Sequence, residues 1–166
     1  LKNEGLLAEL LNTQGDVQRY RGDWKSAKAL YDQALRAASR STEADQILIS
    51  KLHVAEAALA EGHAQSAIRD FRSLSQQADS RSQKYLSLES SVDMAEAMIN
   101  SKDYSHAQQE LQTGLSASEK LGSRYQTARI HYLLGNALRR SGNTAEAAGH
   151  YRQALSLMED MRKEPG

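Results

Sequence analysis

The chain has no cysteine, which excludes disulfide staples, thiolate metal sites and cysteine nucleophiles. Cysteine-free proteins occur in cytosol and periplasm alike, so the compartment stays open, with a cytoplasmic place the favoured expectation. Proline is nearly absent: the single one, Pro165, is penultimate, so nothing interrupts a helix elsewhere. Neither sign of charge is in excess, with 21 Lys+Arg against 21 Asp+Glu. That balance argues against a nucleic-acid binder and against a polybasic membrane-surface protein. Long apolar runs are missing, so no membrane span is expected, and no charged start followed by an apolar centre marks a signal peptide. β-branched residues are scarce: Val, Ile and Thr together supply 13 residues, against 24 Ala and 21 Leu. Ala and Leu lose little on entering a helix, whereas β-branched side chains lose rotamer freedom there. The composition predicts an all-α chain. Its 166 residues are one domain's worth, and an opening Leu1 in place of Met reads as a piece of something longer.

What the chain does have is a forty-residue period. Gly22, Gly62, Lys102 and Gly142 form one column, Ala27, Ala67, Ala107 and Ala147 a second, and Tyr31, Phe71, Leu111 and Tyr151 a third. Ala and the bulky residue four positions later share one helix face, the small one allowing close approach and the large one filling the space beside it. Each unit reads as two amphipathic helices around a short turn, with glycine closing the first helix in a left-handed conformation. Asp23, Asp103 and Asn143 stand where a side chain can accept hydrogen bonds from the N–H groups opening the second helix. First helices are expected at about 2–21, 44–61, 83–101 and 124–141, and second helices at about 24–39, 64–79, 104–120 and 144–162. Links such as Ser39-Arg40-Ser41-Thr42 and Leu121-Gly122-Ser123-Arg124 are short and polar. One helix pair cannot bury its own apolar face, so four pairs must stack.

This layout resembles the tetratricopeptide repeat, whose unit carries W-x2-L-G-x2-Y, then A-x3-F, then P. The fourth unit is the best match, with His131, Leu134, Gly135 and Leu138, then Ala147, Tyr151 and Ala154. The first offers Gly15, Trp24, Ala27, Tyr31 and Ala34. Units two and three place Ala55 and Ala95 at the first glycine position, and the closing proline is absent throughout. The resemblance is to the long-repeat variety and covers nearly the whole chain. It implies a right-handed superhelical solenoid of eight helices in four repeats, about 8–47, 48–87, 88–127 and 128–166, within one domain.

The resemblance also implies a function: holding a peptide or partner-protein segment in a concave groove lined by the first helices, without catalysis. Transferred by position, the groove residues are Glu9, Asn12, Asp16, Arg19 and Tyr20 in the first repeat. The second supplies Ile49, Leu52, Glu56, Leu59 and Ala60, and the third Glu89, Val92, Glu96, Ile99 and Asn100. The fourth supplies Arg129, Tyr132, Asn136, Arg139 and Arg140, with Asn136 matching an asparagine that many relatives use to hold a peptide backbone. Two readings of the charges stand level. Arg129, Arg139 and Arg140 pair with Glu89 and Glu96 on the neighbouring helix, or they meet a partner. Ile49, Leu52 and Leu59 are either core or an exposed apolar patch, with core ahead. Tyr85 with Tyr125, and Trp24 with Tyr104, read as packing at repeat junctions.

Signals for an enzyme are missing. The five histidines never fall three to five residues apart, so no helical metal pair is expected. No glycine-rich phosphate loop or nucleophile elbow appears, and no cofactor is expected. The rival to a binding module is a sensory or structural segment of a multidomain bacterial regulator, stacked on its own chain. A third reading is self-association through the last helix, where Tyr151, Leu155 and Met158 form an apolar stripe.

Overall fold

The computed structural model describes residues 3–41 and 43–163; Leu1, Thr42 and Pro165, cited above, lie outside them. Eight helices follow one another among the described residues: α1 (Glu4–Tyr20), α2 (Trp24–Ala38), α3 (Ala44–Ala60), α4 (Ala64–Ser80), α5 (Lys84–Asn100), α6 (Tyr104–Lys120), α7 (Arg124–Arg140) and α8 (Thr144–Lys163). No described residue is in a strand. Each boundary lies within two residues of the expected one, because the turn chemistry sets it. Gly22, Gly62 and Gly142 have φ of 81°, 88° and 97°, and Lys102, the departure in that column, is left-handed as well at 67°. Two of the links between pairs make the same turn, with Ser82 at 60° and Gly122 at 65°. Backbone closure is identical at both kinds of turn. Asp23, His63, Gln83, Asp103, Ser123 and Asn143 each donate their N–H to the carbonyl five residues back, at 2.8–2.9 Å, satisfying a carbonyl the helix end leaves open.

The caps follow expectation at two of three sites. Asp23 Oδ1 accepts from the Ser26 N–H at 3.0 Å, and Asn143 Oδ1 from the Glu146 N–H at 3.4 Å. Asp103 makes no cap hydrogen bond. Its carboxylate turns instead to His106 Nδ1, 2.8 Å away and one turn on.

The helices divide into two compact units, Leu1–Leu74 and Ser75–Gly166, with the boundary inside α4. In the first, α3 lies against both α1 and α2. Ala8, Ala37 and Ala38 form one core cluster with Leu11 and Ile47, while Ala27, Tyr31 and Ala57 form another with Trp24 and Val54. In the second, α7 lies against both α5 and α6. The Ala and bulky columns are the core as expected: Ala27, Ala67, Ala107 and Ala147 are buried, as are Tyr31, Phe71 and Leu111. Tyr151 is half-buried. Glycine and tyrosine go together for a steric reason. A Cβ on Gly15 would run into the ring of Tyr31, and one on Gly135 into that of Tyr151. Where the bulky residue is Phe71 or Leu111, alanine stands at the equivalent position, as Ala55 and Ala95.

Candidate functional site

On the first unit, α1 and α3 assemble a charged cluster around Tyr31. Its hydroxyl donates to Asp16 Oδ1 at 2.8 Å, and Arg19 pairs with the same carboxylate at 3.3 Å. His53 stacks on the Tyr31 ring, with centroids 4.8 Å apart and planes 11° from parallel. Its Nδ1 meets Glu56 at 3.1 Å and lies 3.9 Å from Asp16. Burial works against the imidazolium, but the hydrogen bond and charge of Glu56, with the charge of Asp16, outweigh it, so His53 is more basic than an ordinary histidine. Burial and the Asp16 carboxylate push the Tyr31 phenol well above its usual range. Glu9 and Tyr20 are exposed on the same helix, and the Arg19 guanidinium lies 4.8 Å over the Tyr20 ring.

On the second unit, Arg129 of α7 reaches two acids of α5, Asp93 at 2.6 Å and Glu96 at 2.7 Å. Burial opposes the guanidinium charge, and the two carboxylates overcome it, so Arg129 is a more firmly held cation than usual. Two to three helical turns further along α7, a second chain of hydrogen bonds forms. Arg139 Nε donates to the Tyr151 hydroxyl at 3.3 Å, and that hydroxyl donates to Asn136 Oδ1 at 2.9 Å. Tyr132 is exposed, its ring 6.1 Å from that of Tyr151. Arg139 and Arg140 are exposed as well.

The structure sorts the expected groove residues. Glu9, Tyr20, Tyr132, Arg139 and Arg140 are exposed, while Asp16, Ile49, Glu56, Glu89, Glu96, Arg129 and Asn136 are half-buried. Asn12 and Leu52 are buried, Leu52 as the favoured reading had it. Asn12 is 4% exposed, its Nδ2 donating to Ser50 Oγ at 3.0 Å to tie α1 to α3, and Leu52 is 3% exposed in the core. Val92 and Ile99 are core too. The stacking of successive helix pairs covers positions that a single helix would leave open. Of the two readings of the arginines, pairing takes Arg129, with Glu96 as expected and with Asp93, which no face pattern selected. His53 was missed as well, since spacing along one helix says nothing of a histidine that meets carboxylates on two helices. A similar case is His131, whose Nδ1 lies 2.9 Å from Nδ1 of His150, nineteen residues away. Burial and then His150 make His131 less basic than usual. Tyr85 does serve a junction: its hydroxyl donates to the Leu121 carbonyl at 3.0 Å. Among the described residues no three His, Asp or Glu side chains converge where a metal ion could sit, and no helix is long and apolar enough to cross a membrane.

Residues 86–160 match the family model of the tetratricopeptide repeat, and the resemblance read from the sequence is borne out. Solved structures carry the same fold at low identity. A Rap protein complexed with Competence and Sporulation Factor has a TM-score of 0.86 at 15% identity, over 93% of this chain and 44% of that one. Aspartyl phosphate phosphatase F from Bacillus subtilis gives 0.82 at 13%, over 98% and 43%. PlcR of Bacillus thuringiensis, in complex with the peptide PapR7 and DNA, gives 0.75 at 15%, over 84% and 51%. The chain therefore spans about half the length of these proteins or less. No curated protein matches it in sequence.

Proposed function

We propose that the chain is a protein-interaction module that holds an extended segment of a partner protein against its first helices, with carbonyl or carboxylate oxygens of that segment over α7. The observation that carries this reading is the orientation of the Asn136 amide. The Tyr151 hydroxyl has one proton; it accepts from Arg139, so its proton goes to Asn136 Oδ1. The amide is thereby fixed with its Nδ2 donors turned away from the tyrosine, on the helix that carries the exposed Arg139 and Arg140. Donors fixed in advance lose little freedom on binding. A peptide carbonyl suits the amide and an acidic side chain suits the guanidiniums. PlcR, of like fold, is described with a bound peptide; that supports the reading by analogy of fold alone.

Panning a random peptide display library against the chain supplies test ligands. Their affinities are then measured by fluorescence polarisation at low and high salt. The bound peptides are expected to be rich in Asp and Glu, to bind at roughly micromolar strength, and to weaken as salt rises. Asn136→Asp keeps the acceptor for Tyr151 and loses the donors, so it should lose binding while the fold stays intact. Arg139→Glu with Arg140→Glu should cost about 1–3 kcal/mol of binding. Equal affinities for wild type and both variants at both salt concentrations would overturn the proposal.

A further inference from the structure

Three departures from the repeat columns meet at one place in the second unit. Ser75 of α4 stands in a column that is otherwise Leu35, Leu115 and Leu155. On α5, Ser87 takes the place of Leu7, Ile47 and Thr127, and Ser91 that of Leu11, Lys51 and His131. The smallest member of each column is thus gathered here, and the three form one cluster. The Ser75 hydroxyl lies 3.2 Å from that of Ser87 and 2.9 Å from that of Ser91.

The bulk that the serines lack is left as space. With Leu88, Gly114 and Leu121 they line an open cavity of about 380 Å³ among α4, α5 and α6, a volume within the range of small-molecule sites. Gly114 adds room that packing does not demand. A Cβ there would make ordinary van der Waals contact, 3.5 Å from Ile130 and 3.6 Å from Leu88. Small polar residues and a glycine inside helices, with no gain in packing to offset them, mark a place shaped for something other than the fold. Among the described residues that line the cavity, none is an expected groove residue.

We propose that this cavity binds a small uncharged molecule with an apolar body and a hydroxyl donor, of the size of an alkylphenol. Its polar atoms select that class. The ionisable residues of the lining balance: Asp79 and Lys84 pair at 3.2 Å, and Glu110 and Lys120 stand about 15 Å apart along α6. A charged guest would leave water without a counter-charge in excess. A hydroxyl carries one proton and two lone pairs, so three serines bonded to one another hold more acceptors than donors. A donating hydroxyl on the guest suits that surplus. Its apolar body lies over Leu88, Ala117 and Leu121, which complete the lining.

The probe is para-propylphenol, titrated into the chain and followed through the backbone amide resonances. The changes should saturate and gather on α5, α6 and the end of α4. Its methyl ether, para-propylanisole, lacks the donor and should bind about three- to tenfold more weakly. The ions para-propylbenzoate and para-propylbenzylammonium should bind more weakly than the phenol as well. Ser75→Ala keeps the space and removes the central hydroxyl, so the preference for phenol over ether should fall to about twofold or less. Ser75→Leu restores the column residue, half-buried as Leu35 and Leu115 are, and should abolish binding with no loss in urea midpoint. Where the leucine overpacks instead, the ether and Ser75→Ala decide. The proposal fails if the phenol gives no saturable change, if the ether or either ion binds as tightly, if Ser75→Ala keeps the full preference, or if folded Ser75→Leu binds like wild type.

Discussion

In the first and last repeats a backbone and an aromatic ring contend for one space. The Tyr31 ring is fully buried and stands where a Cβ on residue 15 would be, so neither can give way cheaply. Gly15→Ala should therefore destabilise by about 1–3 kcal/mol through overpacking. Shortening the ring should relieve it, since Leu111 faces the position where Ala95 stands in the equivalent pair. In a double-mutant cycle, Gly15→Ala should cost less in a Tyr31→Leu background than in wild type, by about 0.5–3 kcal/mol of coupling. Urea melts giving the same cost in both backgrounds would refute the steric account. The sequence displayed this covariation between repeats but not its cause, which lies in how deep the ring sits. The left-handed turns were partly legible for a related reason. Lys102 stood in a column of glycines, so its φ of 67° could be inferred, whereas Ser82, equally left-handed, shares its forty-residue column with a single glycine, Gly122, too few to mark the turn. Lys102→Gly and Ser82→Gly should each stabilise the fold by up to about 1 kcal/mol, read from urea midpoints.

Between elements, an ion pair ties α7 to α5 in the second unit. Asp93 is 2% exposed, and Arg129 is bound to it at 2.6 Å. Removing the guanidinium takes the counter-charge from a buried carboxylate, which is far costlier than replacing both partners by apolar groups. Arg129→Met should destabilise by about 3–5 kcal/mol, and adding Asp93→Leu should restore most of that loss. Chemical denaturation of the single and double variants measures both, and a double variant no more stable than Arg129→Met would contradict the reasoning. The candidate site was legible to this level and no further. Helical periodicity, with the family resemblance, placed Glu96, Arg129, Tyr132 and Asn136 on first helices near the open side. It favoured the core for Leu52 but left Asn12, Val92 and Ile99 on the groove face, because burial depends on packing between helices, which one helix's periodicity does not show. Nor could it join Arg129 to Asp93 or Asp16 to Tyr31, pairs that only packing between helices brings within reach.

Across the molecule, the two units carry histidines that answer acid in opposite directions. In the first unit, His53 sits between Glu56 and Asp16, stacked on Tyr31, with Arg19 as the one opposing charge, and its folded pKa is raised. The fold favours its protonated form, so that stabilisation is fully present below the unfolded value of about 6.5 and fades as pH rises through the higher folded value. In the second unit, His131 is buried against His150, with Glu119 the weaker opposing influence, and its folded pKa is lowered. There the fold favours the neutral form. Its contribution is present above about 6.5 and is lost as pH falls through the lower folded value. Going from about pH 7.5 to about pH 5.5, amide protection corrected for intrinsic exchange should rise in α1 and α3 and fall in α7 and α8. His53→Gln should abolish the rise alone, and His131→Gln the fall alone. Hydrogen-exchange mass spectrometry of the three proteins decides the matter, because a response of the same sign in both units would mean that carboxylates, and not these two rings, govern the acid behaviour.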